Sequence, residues 1–158
     1  MAEIKYGLRE GTHSGREYKM GSTAMYFQRR GGKFVTLITG KVTLIASKTG
    51  YKNAGGKILG WLNTEKDDAG QDYWVSSAGE TVFVYTDQEN VYEIPFTQSL
   101  GSLNATLLGR GLELVCTPLT TGMQTAKIGK VASPIYCVGY DTVNKTAYVK
   151  IKPEHKIG

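Results

Sequence analysis

Short apolar runs, each interrupted by glycine or polar turn residues, recur along this chain from about residue 34 onward. The runs Phe34–Ile38 and Val42–Ala46 flank Thr39-Gly40-Lys41, and this arrangement predicts a β-hairpin with a tight turn. Further strands are predicted over Ile58–Leu62, Tyr73–Val75, Thr81–Tyr85, Val91–Phe96, Leu112–Cys116 and Met123–Ile128. Because Pro95 lacks a backbone donor, either the strand Val91–Phe96 is expected at a sheet edge or Pro95 is expected at the end of the strand.

The final apolar runs, Ile135–Tyr140 and Ala147–Ile151, lie on either side of a polar turn and predict a second hairpin. Helical character is predicted only over Ser99–Arg110, which is long enough for a short connector helix. Gly60 is expected to allow a bulge or close packing within its strand. About nine short, regularly spaced strands predict an all-β fold, a small β-barrel of the Src-homology-3-like type or a similar barrel or sandwich.

Residues 1–24 are polar and rich in glycine, and neither helical nor strand periodicity persists there. They predict an extended N-terminal arm, followed by a β-barrel body over residues 25–158. The alternative is a frayed terminus, but Tyr6 and Tyr18 favour an arm docked on a partner or a neighbouring subunit, because aromatic residues are scarce in purely disordered tails.

Charge is segregated along the chain. The 158 residues carry a formal net charge of +5, distributed as +8 over residues 1–60, −7 over 61–100 and +4 over 101–158. Blocks of opposite sign suit complementary surfaces in a protein assembly at least as well as they suit a nucleic-acid binder. No signal peptide and no membrane span is predicted from the sequence.

The sequence offers no catalytic constellation, so we predict that the protein is not an enzyme and needs no cofactor or metal. Neither His13 nor His155 lies within a few residues of a cysteine, so no zinc-site spacing occurs. Cys116 and Cys137 are expected to be buried thiols, and a bridge between them would require adjacent strands. The Gly-Gly-Lys pieces lack the remaining residues of a phosphate-binding loop, and no Gly-x-Ser-x-Gly elbow occurs.

Two charged segments are candidate binding surfaces. The loop Glu65–Asp68 lacks calcium-loop spacing, so Asp67 and Asp68 are predicted to face a partner or solvent. The stretch Tyr26–Lys33 interleaves aromatic residues with Arg29, Arg30 and Lys33. Together with Lys41 these basic residues would suit nucleic-acid binding, or acidic patches on a protein shell. The alternative is that Tyr26 and Phe27 enter the core and the basic residues form a solvated turn.

Six pieces of the chain, taken in order, resemble small virion proteins of tailed bacteriophages. The pieces are Gly40-Lys-Val-Thr43, Ile58-Leu-Gly60, Val91-Tyr-Glu-Ile94, Ala105–Val115, Thr121-Gly-Met-Gln124 and Tyr148–His155. The resemblance spans about residues 34–156, and it rests on the order of the pieces because each alone is a common β motif. The long segment before residue 25 departs from the family pattern.

The resemblance implies a head-decoration or cement protein, made in the host cytoplasm and carried on the capsid of the virion. Its partner would be the major capsid protein, and a homotrimer is the favoured oligomer. A tail or connector subunit, with larger rings, and a nucleic-acid-binding barrel are the alternatives. The predicted partner-binding residues are Tyr6, Tyr18, Arg29, Arg30, Lys33, Asp67, Asp68, Val91 and Glu93.

Overall fold

A computed structural model describes residues 7–21, 26–28, 32–38, 40–44, 57–63, 73–116, 124–128 and 134–157. Residues 26–28, 44, 63, 73–75, 115 and 116 are described by their backbone alone. The prediction of an all-β fold containing a small closed barrel is confirmed. The strands are β1 (Gly7–Glu10), β2 (Gly15–Met20), β3 (Tyr26–Gln28), β4 (Gly32–Ile38), β5 (Lys41–Leu44), β6 (Gly60–Asn63), β7 (Tyr73–Val75), β8 (Thr81–Tyr85), β9 (Val91–Pro95), β10 (Gly111–Cys116), β11 (Gln124–Ile128), β12 (Ile135–Asp141) and β13 (Thr146–Ile151).

The first structural unit is a closed five-stranded barrel with strand order β2-β5-β4-β6-β8, called the first barrel below. Its pairs are antiparallel except β2 with β5, which run parallel. Its interior is filled by apolar side chains that alternate along the strands, namely Met20, Val35, Val42, Leu59, Leu62, Val82 and Val84. Alternation with period two is what a barrel strand requires, because one face points inward and the other outward.

The second structural unit is a six-stranded sheet with strand order β1-β9-β13-β12-β10-β11, called the second sheet below. It curls until the residues just after β9 reach β11 at its far side. Phe96 forms a β-bridge with Ala126, and the Thr97 N–H donates to the Ala126 carbonyl at 3.0 Å. This contact covers the β11 edge, which would otherwise present unpaired backbone groups. Strands β3 and β7 form a separate antiparallel pair.

An aromatic cluster joins the two units. Phe34 and Trp61 lie on the outer face of the first barrel with their ring centroids 4.9 Å apart, edge to face. Tyr92 of the second sheet stacks on Trp61 at 5.0 Å and meets Phe34 edge-on at 5.0 Å. All three side chains are buried, so one outer face of the barrel packs against the second sheet and contributes to the larger of the two hydrophobic cores.

Residues 7–20 are not an extended arm, so the division predicted at residue 24 is wrong over this range. Gly7–Glu10 forms β1 and pairs with β9. Gly15–Met20 forms β2, a strand of the closed barrel, and pairs along its length with β8. The periodicity is missing from the sequence because only Met20 of β2 is fully buried, while its remaining residues are exposed or half-buried. Residues 1–6 lie outside the described residues.

Of the two positions expected from Pro95, the sheet edge is wrong because β9 is an interior strand, whereas the strand end is confirmed. It pairs with β1 on one side and with β13 on the other. Pro95 is nevertheless tolerated, because it is the last residue of β9. The alternation of β9 therefore reflects a strand enclosed within a sheet, and its backbone offers no free edge for pairing with a partner.

Both predicted hairpins are confirmed. Strands β4 and β5 are antiparallel, with Ile38 opposite Lys41 at the turn, where Gly40 has φ +76°. Strands β12 and β13 meet at a turn that places Lys145 in the left-handed region, at φ 54°. The predicted connector is two 3-10 turns, Leu100–Ser102 and Ala105–Leu107, instead of one helix.

The last described residues return from the second sheet to the first barrel. After a 3-10 turn over Pro153–His155, the His155 carbonyl accepts from the Ile58 N–H at 2.6 Å. The Ile157 N–H then donates to the Ile58 carbonyl at 2.9 Å, and the Ile157 side chain packs against the barrel core. Ile58, between the two units, is thereby held on both its backbone groups.

Candidate interaction surfaces

Five of the nine predicted partner-binding residues lie outside the described residues: Tyr6, Arg29, Arg30, Asp67 and Asp68. The remaining four are placed by the structure, and they do not come together in one site. Tyr18 lies half-buried on β2, where its ring packs against the barrel core. Val91 is half-buried on β9 opposite Glu10.

Lys33 and Glu93 are buried, so neither offers its charge at the surface of this chain. Lys33 lies on β4 opposite Leu62, with 0% of its surface exposed. Glu93 accepts from the Arg9 guanidinium at 3.3 Å and from the Thr146 hydroxyl at 2.5 Å. The sequence could not signal this burial, because a charged residue in a short alternating strand ordinarily points to solvent.

Two buried amide side chains that the sequence did not single out connect distant parts of the chain. The Gln124 Oε1 accepts from the Phe34 N–H at 2.7 Å, and its Nε2 donates to the Phe34 carbonyl at 2.9 Å. In the same manner, the Asn90 Oδ1 accepts from the Thr12 N–H at 2.8 Å and its Nδ2 donates to the Thr12 carbonyl at 2.9 Å. Each amide pairs with one residue's backbone as a neighbouring strand would.

These amides couple the two units more specifically than apolar packing alone. Gln124 begins β11 of the second sheet, whereas Phe34 belongs to β4 of the first barrel. Asn90 precedes β9 and holds the segment between β1 and β2. Both amides are fully buried, so the hydrogen-bonding capacity of each side chain is committed within the fold. The result is a fixed relative position of barrel and sheet.

The outer surface of the first barrel has a second face, on the strands that the second sheet does not cover. Lys41, Lys19 and Thr81 lie side by side across β5, β2 and β8. Ile38 is opposite Lys41, and Phe83 is opposite Glu17 in the next row. The apolar side chains of Ile38 and Phe83 are 48% and 43% exposed. These six residues are called the basic face below.

Asp87 and Asp141 each organise a turn at the surface. The Asp87 carboxylate accepts from the Glu89 N–H and the Thr12 hydroxyl, and these bonds hold its pKa below the ordinary value. The Asp141 carboxylate accepts from the side chain and backbone of Asn144 and from the Val143 N–H. Those bonds, the Asn144 side chain foremost, lower the pKa of Asp141.

The lowered carboxyl pKa values predict a loss of stability in acid. In the folded chain both carboxyl groups have pKa values below the unfolded-state value of about 3.9. Their contribution to folding stability is therefore fully present above that pH, and it is lost as the pH falls through the folded-state pKa values. We expect a D87N/D141N variant to be less stable near neutral pH and to lose less stability on acidification. Urea unfolding midpoints at neutral and acid pH measure both effects, with E154Q at an exposed position as control. An acid loss equal to that of the parent would contradict the prediction.

Cys137 is a buried free thiol that donates to the Gly139 carbonyl at 3.0 Å, and burial raises its pKa. The thiol is therefore neither bridged nor activated as a nucleophile. His13 is exposed and contacts the Tyr85 ring edge-on at 5.2 Å. Within the described part of the chain, no three His, Cys, Asp or Glu residues are grouped as metal ligands, and no helix has the length and apolarity to cross a membrane.

A comparison with known proteins identifies no matching family model, curated protein or solved structure. The interpretation of this chain therefore rests on its own residues and contacts.

Proposed function

We propose that this chain is a non-enzymatic structural protein that decorates and stabilises the capsid of a tailed bacteriophage. The observation that carries the proposal is the fixed coupling of the first barrel to the second sheet. The Trp61–Tyr92 stack, the Gln124 amide and the backbone clamp at Ile58 all cross between the two units. A cement protein has to hold neighbouring capsomers at a set separation, and a body of two rigidly joined parts suits that task.

The residues that resemble phage virion proteins contribute to this same body. Gly40–Thr43 forms the turn and much of β5, Val91–Ile94 is most of β9, and Tyr148–His155 runs from β13 into the last 3-10 turn. The resemblance thus concerns residues that determine the shape of the molecule. Shape and charge are also the means by which such a protein binds, and repetition over many lattice sites converts modest contacts into high avidity.

The basic face favours protein over nucleic acid as the partner. It contains Lys19 and Lys41, but Glu17 lies in the same face and would oppose a phosphate backbone. Lys33, which a nucleic-acid-binding barrel was expected to use, is buried. The partner in this proposal is the major capsid protein, bound by a homo-oligomer for which a trimer is favoured. The chain would be made in the host cytoplasm and carried on the virion.

Co-sedimentation with phage capsids assembled without this chain tests the proposal. We expect saturable binding, with ordered density at capsomer junctions when the particles are imaged. The Gly101→Ala variant, altered at an open position, is a folded control that should bind equally well. Absence of binding at both low and moderate salt would overturn the decoration role. Density confined to the tail or its connector would assign the chain to that part of the particle instead.

A further inference from the structure

The basic face places two lysines on neighbouring strands. Lys19 and Lys41 are register partners in the parallel β2–β5 pair, so their backbones lie about 4.8 Å apart. Both side chains are exposed on the outer face of the barrel. The Lys19 ammonium donates to the Thr81 hydroxyl at 2.5 Å, a neutral partner that leaves its charge in place. Glu17, in the adjacent row, is the one carboxylate among the six residues of the face.

Three acidic side chains lie beyond the far end of β8 and at the end of β1. Glu10 is exposed on β1, and Asp87 and Glu89 belong to the turn that leads into β9. We call these three residues the acidic turn. The Glu89 carboxylate, 78% exposed, meets Lys150 at 2.6 Å. Lys150 and Lys156 both act electrostatically on Asp87, so these two lysines partly offset the three carboxylates. The Asp87 carboxylate is fixed in position by the Glu89 N–H and by Thr12.

The two charged regions cannot neutralise each other within one molecule. Thr81 and Asp87 are six residues apart along β8 and its extension, where the Thr86 N–H still donates to the Ser14 carbonyl. At about 3.3 Å per residue their separation is roughly 20 Å, which is about twice the Debye length of roughly 8–10 Å at physiological salt. Only a contact between molecules brings the basic face and the acidic turn together.

We propose that the acidic turn of one copy of this chain binds the basic face of a second copy. The contact places carboxylates against Lys19 and Lys41 and covers the exposed side chains of Ile38 and Phe83. Because the two surfaces differ, the interface is heterologous, and it closes into a ring or propagates as a filament according to the rotation between copies. This inference rests on the proposed structural role and names the partner of one surface.

Paired charge reversals test the contact. Variant A carries Lys19→Glu and Lys41→Glu, and variant B carries Glu10→Lys and Glu89→Lys. Sedimentation velocity over a range of protein and salt concentrations measures self-association. We expect the parent to associate more strongly at low salt, and each variant alone to associate at least roughly tenfold more weakly. A mixture of A and B should recover association, because the reversed surfaces are again complementary. A control with Lys145→Glu and Lys152→Glu, outside both surfaces, should associate like the parent.

Several outcomes would overturn the inference: a parent that stays monomeric at all concentrations, variants that associate like the parent, or a mixture that fails to recover. Circular dichroism establishes that A and B are folded, and Lys19→Gln with Lys41→Gln replaces A if it is not. The capsid assay separates this inference from the proposed function. If the parent protein binds capsids but never self-associates, only the contact between copies is contradicted. If it self-associates without binding capsids, only the decoration role is contradicted.

Discussion

The Gln124→Ala variant is expected to lose about 4 kcal/mol of stability, because it leaves two buried backbone groups unpaired at about 1–3 kcal/mol each. The Phe34 N–H and carbonyl both bond the Gln124 amide, and neither reaches water in the folded chain. The loss should separate the second sheet from the barrel as well as lower the unfolding midpoint. Urea unfolding followed by tryptophan fluorescence is a suitable measurement, since Trp61 lies beside Phe34.

A Gln124→Glu variant distinguishes the hydrogen bonds from the volume of the side chain. A protonated carboxyl can accept from the Phe34 N–H and donate to its carbonyl, as the amide does, whereas a carboxylate can only accept. We therefore expect Q124E to be strongly destabilised above neutral pH and to regain stability relative to the parent as the pH falls toward 5. Gln88→Ala, in the turn before β9, is the matched control and should change stability by less than about 0.5 kcal/mol. A Q124A variant as stable as that control would contradict the role of the amide.

The second large effect is expected at Gly60, where a methyl group should prevent the first barrel from closing. An added Cβ would overlap the Tyr85 carbonyl oxygen and lie 3.0 Å from its carbon. It would also lie 3.2 Å from the Val84 side chain, so strand β6 could not keep its pairing with β8. Overpacking against the backbone cannot be relieved by a rotamer change, and we expect Gly60→Ala to cost about 3 kcal/mol or more.

Gly101→Ala is the matched control for this substitution. Its added methyl group would meet no atom within 4 Å, and its backbone does not require a positive φ. We expect it to change the free energy of unfolding by less than about 0.5 kcal/mol. Thermal unfolding of the two variants beside the parent gives the comparison directly. Equal melting temperatures for G60A and G101A would show that the barrel accommodates the methyl group, contrary to the packing described.

The sequence was sufficient for the parts of the fold that local patterns determine. The β4–β5 and β12–β13 hairpins follow from apolar runs around short polar turns, and the close packing at Gly60 follows from a glycine within a strand. These features depend on residues near one another in the chain. Their turn chemistry and alternation are visible without knowledge of the remaining structure.

The parts that the sequence did not predict depend on contacts between distant residues. Strand β2 shows almost no apolar periodicity, because its place in the barrel comes from backbone pairing with β8 and β5. Strand β9 has the same alternation as an edge strand, and only its pairing with both β1 and β13 makes it internal. The burial of Lys33 and the amide bridges of Gln124 and Asn90 likewise involve partners far along the chain, so no local signal indicates them.

The clamp on Ile58 has a consequence for the order of events during synthesis. Ile58 lies between the two units, yet both of its backbone groups bond residues 155–157, nearly a hundred positions later. A nascent chain that has released the first barrel strands from the ribosome still lacks the segment that seals them. Until the last turn emerges, the barrel core beside Ile157 remains open to other chains. Final closure of the barrel core therefore waits for residues 155–157, long after the strands of the barrel itself have been made.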